Sequence, residues 1–204
     1  MSRVNIIETE TLSDDWYELK KTTFTYHRSD GSSQTLTRET YDRGNGATLL
    51  LYNLEQGTVV LTRQFRYPTF VNGNNDGLLI ETAAGLLDDA NPDDRIKQEV
   101  EEETGFRLSN VEPVFDAFMS PGSVTERVYF FVAAYHAAER VSAGGGNYNE
   151  GEDIEVLELP FTQAMRMIDE GTIRDGKTIM LLQYAALNIF NVTPVSLSVG
   201  DNAQ

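Results

Sequence analysis

Short apolar runs alternate along the chain with clusters of Gly, Asn, Asp and Ser, the spacing of strands joined by turns. Trp16 to Tyr26 and Gln34 to Tyr41 are rich in β-branched and aromatic residues and flank the polar stretch Arg28-Ser29-Asp30-Gly31-Ser32, which predicts a hairpin. After Gly44-Asn45-Gly46, the runs Ala47 to Tyr52 and Thr58 to Arg66 predict a second hairpin around Glu55-Gln56-Gly57. Leu78 to Thr82 is a further apolar run, followed by the small residues Ala83-Ala84-Gly85. Strands are expected again at Val111 to Phe118, Arg127 to Tyr135 and Ile154 to Leu159, and helices at Thr162 to Glu170 and Lys177 to Phe190. The loop from Ala137 to Glu152 reads as mobile, with Gly144-Gly145-Gly146 as a hinge, and the tail after Val192 reads as frayed.

One segment is helical by its punctuation. Asn91 is a capping residue, Pro92 suits the first helical position, Asp93 and Asp94 suit the positive end of the helix dipole, and Gly105 ends the run. Within it Ile96 and Val100 face a core, while Glu99, Glu102 and Glu103 stand at i, i+3 and i+4 and project from one side. Glu101 lies on the opposite side. Two carboxylates about 4 Å apart repel by roughly 4 kcal/mol at an effective dielectric near 20. The residues therefore fit a solvated helix face, or a site where a divalent cation offsets the repulsion. The residues alone leave both readings open.

Composition narrows the chemistry. The 204 residues suffice for one sizeable domain, or for one domain with a small appendage. With no cysteine there is neither a disulfide framework nor a thiolate metal site, and two histidines, His27 and His136, supply zinc poorly, so any metal sits on oxygen ligands. A net charge of −16 argues against binding the phosphate backbone of nucleic acid. It still permits a pyrophosphate held through divalent cations. Apolar stretches such as Ala47 to Tyr52 and Tyr129 to Tyr135 are far shorter than the roughly 20 residues of a membrane span, and the start MSRVNIIETE lacks the pattern of a leader. A soluble, cytoplasmic protein without membrane partners is expected.

The segment Gly85-x5-Asn91-x6-Gln98-Glu99-Val100-Glu101-Glu102-Glu103-Thr104-Gly105-Phe106 resembles the Nudix box, G-x5-E-x7-R-E-U-x-E-E-x-G-U with U apolar. It matches at Glu99, Val100, Glu102, Glu103, Gly105 and Phe106. It departs at Asn91, where the family has glutamate, at Gln98, where it has arginine, and in a spacer one residue short. Arg95, four residues before Glu99, stands where it can replace part of the missing arginine's work. Beyond the box, from about Leu12 to Tyr184, further segments are similar to the GDP-mannose pyrophosphatase branch of the family. They include Tyr41-Asp42-Arg43-Gly44-Asn45-Gly46-Ala47, Arg63-Gln64-Phe65-Arg66, Ala84-Gly85-Leu86-Leu87-Asp88, Met119-Ser120-Pro121-Gly122 and Ile173-Arg174-Asp175-Gly176-Lys177-Thr178. The ADP-ribose pyrophosphatase branch is a near relative.

The resemblance implies an α/β fold, the Nudix α/β/α sandwich around a mixed sheet with a small N-terminal β domain. It divides the chain into an N-terminal β-hairpin domain for dimerisation and substrate binding (1–43), a Nudix hydrolase domain (44–191) and a C-terminal tail (192–204). It implies a homodimer with exchanged N-terminal elements, and Mg²⁺ held by Glu99, Glu103, Glu152 and the backbone oxygen of Ala84. Around a nucleotide sugar it places Trp16, Thr37, Arg38, Glu39, Arg66, Ala84, Gly85, Leu86, Glu103, Glu126, Gly151, Glu152 and Lys177. Trp16 offers a stacking face, Arg38 and Arg66 fork onto phosphate oxygens, and Lys177 supplies a point charge. The general base is expected to be Glu152, with Glu102 in reserve, and Glu150 and Asp153 are neighbours in the same loop. The implied reaction is Mg²⁺-dependent hydrolysis of GDP-mannose to GMP and mannose 1-phosphate. The alternatives are hydrolysis of ADP-ribose to AMP and ribose 5-phosphate, and a catalytically weak Nudix-fold module that binds nucleotides.

Overall fold

The computed structural model describes residues 2–191, so the expected tail 192–204 lies outside the described residues. In chain order the elements are β1 (Val4–Asp14), β2 (Glu18–His27), β3 (Ser33–Asp42), β4 (Gly46–Asn53), β5 (Thr58–Phe65), α1 (Tyr67–Val71), β6 (Leu78–Glu81), β7 (Ala83–Leu86), α2 (Pro92–Thr104), β8 (Glu112–Phe118), β9 (Arg127–Ala134), β10 (Glu155–Pro160), α3 (Phe161–Asp169) and α4 (Gly176–Asn188). β1, β2 and β3 form one antiparallel sheet, and the other seven strands form a second, in the order β10-β5-β4-β9-β8 with β6 beside β5 and β7 beside β4. The second sheet is mixed, because β4 and β9 run parallel while the remaining pairs are antiparallel.

Period-two alternation decides which side of this sheet each residue serves. Leu49, Leu50 and Leu51 of β4 are all buried, the mark of a central strand covered on both faces. Leu50, with Val59, Leu61, Phe130 and Val132, packs against Phe161 and Ala164 of α3 and Leu181, Leu182 and Ala185 of α4. Leu49 and Leu51, with Val60 and Phe131, pack against Ile96 and Val100 of α2 and against Phe106. The result is an α/β/α sandwich, as expected, with α2 on one face and α3 and α4 on the other. Among the described residues no helix is long and apolar enough to cross a membrane.

Three features differ from the expectations. The N-terminal sheet has a strand, β1, that the apolar pattern does not announce, and Trp16 falls in the bend between β1 and β2 instead of opening a strand. α1 interposes a short helix after β5, with Pro68 in its first turn. The Gly144-Gly145-Gly146 run is anchored, not a free hinge. The Gly145 and Gly146 amides donate to the carbonyls of Glu103 (2.9 Å) and Glu102 (3.1 Å), carbonyls that the end of α2 leaves without partners. At Gly144, where φ is +72°, a Cβ would lie 2.5 Å from the Glu103 carbonyl oxygen, so only glycine lets the loop approach the helix this closely.

The N-terminal sheet stands apart. Among the described residues its backbone hydrogen-bonds to the rest where the Tyr41 amide donates to Ser123 (2.8 Å) and the Thr125 amide donates to Tyr41 (3.1 Å). Strands β1–β3 make no extensive contact with any other element among the described residues.

Candidate active site

The site grows from the contact of α2 with β7. Asn91 caps the helix by accepting a hydrogen bond from the Asp93 amide (2.9 Å), and Gly105 closes it in the left-handed region (φ 81°). Ile96 and Val100 fix the helix on the sheet, and this rotation turns Glu99 and Glu103 toward β7. Glu103 is 1% exposed, and its Oε2 accepts from the Ala84 amide at 3.3 Å. Glu99 lies against Gly85, where a Cβ would sit 2.1 Å from its carboxyl carbon. The first glycine of the box is therefore set by steric need, since any side chain there would expel Glu99.

Burial pushes the Glu103 carboxyl well above the usual carboxylate range, and the charges of Glu99 and Glu152 push it the same way, with Arg66 opposing them. The negative charge around this buried carboxylate exceeds what Arg66 offsets. Glu99 partly answers this by pairing with Arg95 (2.6 Å), whose Nε also donates to the Leu86 carbonyl (2.9 Å). Arg95 thus occupies the place sought for the missing box arginine. Glu102, in contrast, is exposed and lies outside the buried group, and Glu101 pairs with Arg107 (2.7 Å).

Glu152 comes from the loop before β10. Its Oε2 accepts from the Asn147 amide (2.8 Å), a closeness that requires Gly146, where a Cβ would lie 2.5 Å from the same oxygen. A cavity of about 550 Å³ opens here, lined by Tyr148, Asn149, Gly151, Glu152 and Asp153. A separate cavity of about 290 Å³ sits at the β8–β9 edge beside Tyr52 and His136, with none of the expected site residues in its wall.

Two cations flank the carboxylates. Arg66, at the end of β5, donates through Nε and Nη2 to both oxygens of Glu81 (2.8 and 3.0 Å). Lys177, in the first turn of α4, donates to the same Glu81 (2.6 Å) and pairs with Asp175 (3.0 Å). Burial would raise the Glu81 carboxyl, but Lys177 and Arg66 outweigh it and bring it down to about 2. Glu126 lies beside Gly46 at the entry to β4, paired with Arg43 at 3.4 Å.

The structure therefore brings together Arg66, Ala84, Gly85, Leu86, Glu99, Glu103, Glu152 and Lys177, with Gly151 in the adjoining loop and Glu126 at the rim. It keeps Trp16, Thr37, Arg38 and Glu39 apart from them. Thr37 bonds Thr23 (3.1 Å), Arg38 donates to the Thr37 carbonyl (2.8 Å) and Trp16 meets Tyr17 edge-on, all within the N-terminal region. Glu81 and Asp175 were not singled out from the sequence. A lone carboxylate in the apolar run Leu78 to Thr82 was the available signal for Glu81.

The donor set suits a hard divalent cation, since it offers oxygen ligands and surplus negative charge at Glu103. Among the described residues no three acidic side chains already form a complete ligand set, because Glu99 is turned to Arg95 and Glu152 to Asn147.

A carboxylate helix packed on a small-residue strand within this sandwich is the arrangement of the Nudix hydrolases. A solved structure described as an ADP compounds hydrolase shares the fold, with a TM-score of 0.69 over 93% of this chain and 98% of that one, at 14% identity. A family profile for the GDP-mannose pyrophosphatase NudK N-terminal domain matches residues 3–41. The GDP-mannose pyrophosphatase of Pectobacterium atrosepticum is 55% identical over 91% of this chain and 95% of its own length. Those of Yersinia enterocolitica and Yersinia pestis are 53% and 52% identical, over 91% and 94% of this chain and 96% and 97% of theirs. This chain belongs to the GDP-mannose pyrophosphatase branch of the Nudix hydrolase family.

Proposed function

We propose that this protein is a cytoplasmic, Mg²⁺-dependent pyrophosphatase that hydrolyses GDP-mannose to GMP and mannose 1-phosphate. The observation that carries the reading is Glu103, a fully buried carboxylate facing Glu99 and Glu152, the last of which lines a cavity. The identity with GDP-mannose pyrophosphatases along nearly the whole chain supports the choice of substrate.

Glu99, Glu103, Glu152 and the Ala84 carbonyl would hold the metal, and binding requires Glu99 to exchange Arg95 for it and Glu152 to turn from the Asn147 amide. When bound, Mg²⁺ lowers the pKa of water and offsets charge developing on the phosphates. Arg66 and Lys177 bind the pyrophosphate oxygens, the first as a planar fork and the second as a point charge. Glu152, on the loop before β10, accepts the proton of the attacking water, and Glu102 is the reserve for that role. Trp16, Thr37, Arg38 and Glu39 reach a substrate only from a second copy of the chain, which makes the working form a homodimer with exchanged N-terminal sheets.

The test is a panel of GDP-mannose, ADP-ribose and other nucleotide sugars at equal Mg²⁺ with products identified. Release of GMP and mannose 1-phosphate from GDP-mannose with the highest kcat/KM is expected. Preference for ADP-ribose, or binding without turnover, would replace this reading.

A further inference from the structure

Glu81 sits at the end of β6, buried to 1% exposure, and takes no part in the expected metal or substrate contacts. Three elements converge on it: Arg66 from the end of β5, Lys177 from the first turn of α4, and β6 itself. The Arg66 fork engages both carboxylate oxygens through Nε and Nη2, and Nη1 takes part in neither bond. The Arg66 side chain is still 39% exposed and Lys177 16%, so neither cation is fully enclosed although the carboxylate that anchors both is. Asp175, which also caps α4 by accepting from the Thr178 amide (3.0 Å), holds Lys177 from its other side.

A buried ion pair is a weak source of stability, because desolvating the charges offsets their attraction, and apolar replacements are often neutral. What such a pair does provide is direction. A cation on a long flexible stem loses rotamer freedom when it binds a phosphate, and that cost is lower if the side chain is already fixed. We propose that Glu81 is a positioning residue, which by gripping Arg66 and Lys177 on one buried carboxylate presents them as a preset pair to the two phosphates of the substrate. The inference rests on the pyrophosphatase reading for its substrate and extends it to a residue that touches neither substrate nor metal.

The test compares Glu81→Gln, Glu81→Asp, the double variant Arg66→Ala/Lys177→Ala, and the triple variant that adds Glu81→Gln. Two measurements are made: kcat and KM on GDP-mannose at saturating Mg²⁺, and binding of inorganic pyrophosphate by calorimetry. Glu81→Gln is expected to lower kcat/KM and pyrophosphate affinity by about tenfold or more while the Mg²⁺ activation constant stays within about twofold. In the background lacking both cations the same substitution is expected to change either quantity by less than about threefold, since the residue then has nothing to aim. Glu81→Asp keeps the counter-charge and withdraws it by one methylene. It serves if Glu81→Gln does not fold, and is expected to weaken pyrophosphate binding by about fivefold. An unchanged affinity in the foldable Glu81 variants, an equal loss in the background without Arg66 and Lys177, or a shifted Mg²⁺ requirement would overturn the proposal. Absence of GDP-mannose turnover in the unaltered chain would defeat the substrate assignment alone, and the pyrophosphate titration would still decide the role of Glu81.

Discussion

Two buried glutamates lie in one neighbourhood with opposite electrostatic fates. Glu81 faces two cations and is brought down to about 2, whereas Glu103 faces two carboxylates and is pushed up. For Glu81 the folded value lies below the unfolded one, so its contribution is complete above the ordinary carboxylate range and drains away as pH falls toward about 2. Glu81→Gln should therefore flatten the acid limb of the stability curve between about pH 4.5 and 2, read by denaturant melts across that range. An acid limb identical to that of the unaltered chain would mean the two cations do not grip it in solution. For Glu103 the charge is the burden. Removing it in Glu103→Gln should raise the melting temperature at pH 7 without metal, yet lower turnover by at least about 10²-fold, the scale for losing one strong transition-state stabiliser. A lower melting temperature with normal turnover would make Glu103 a structural partner of β7 and remove it from the metal site.

At the level of elements, what could be read from the sequence is what leaves a periodic or capping signature. The bounds of α2 follow from Asn91, Pro92 and Gly105, and the strands of the large sheet follow from their apolar runs except β7, whose Ala83-Ala84-Gly85 read only as small residues. β1 left no such mark, because its residues are almost all exposed and VNIIETETLSD shows no buried face to alternate. α1 is too short for a helical period. The partners of Glu81 were invisible for another reason: Lys177 is 96 residues away, and only the closed sandwich brings them together. The glycine run read as a hinge because loop glycines usually supply freedom, while here close approach to the carbonyls of α2 requires them.

Two substitutions at the α2–β7 contact have contrasting expected outcomes. Gly85→Ala would set a methyl 2.1 Å from the Glu99 carboxyl carbon, so Glu99 must leave its position. Activity should fall by about 10²-fold with the fold retained by circular dichroism. Gln98→Arg should leave activity within about threefold of the unaltered chain, because Arg95 already pairs with Glu99 at 2.6 Å. Kinetics on both variants decide: a tolerated Gly85→Ala, or a collapse in Gln98→Arg, would show that the helix is seated differently on the strand.

At the scale of the whole molecule, the N-terminal sheet bares a set of apolar residues. Val4, Ile6, Ile7 and Leu12 are exposed on β1, and Trp16 is 81% exposed in the following bend. A three-stranded sheet needs a packed face for stability, and this one has little contact with its own chain. If a second copy provides that face, the expected substrate residues Trp16 and Arg38 serve the partner's carboxylates, and each site is built from two chains. Mixing inactive variants tests this directly. A Trp16→Ala/Arg38→Ala chain and a Glu103→Gln chain are each expected to be nearly inactive alone. Refolded together in equal amounts they give heterodimers as half of all dimers, and each heterodimer holds one site with both intact halves, so about one quarter of normal activity should return. If instead the sheet serves its own chain, every site in every mixture carries a lesion and no activity returns. Light scattering on the mixture shows that dimers have formed, so a dimeric mixture without recovered turnover would rule out exchanged sites, and a fully active monomer at nanomolar concentration would rule out the dimer.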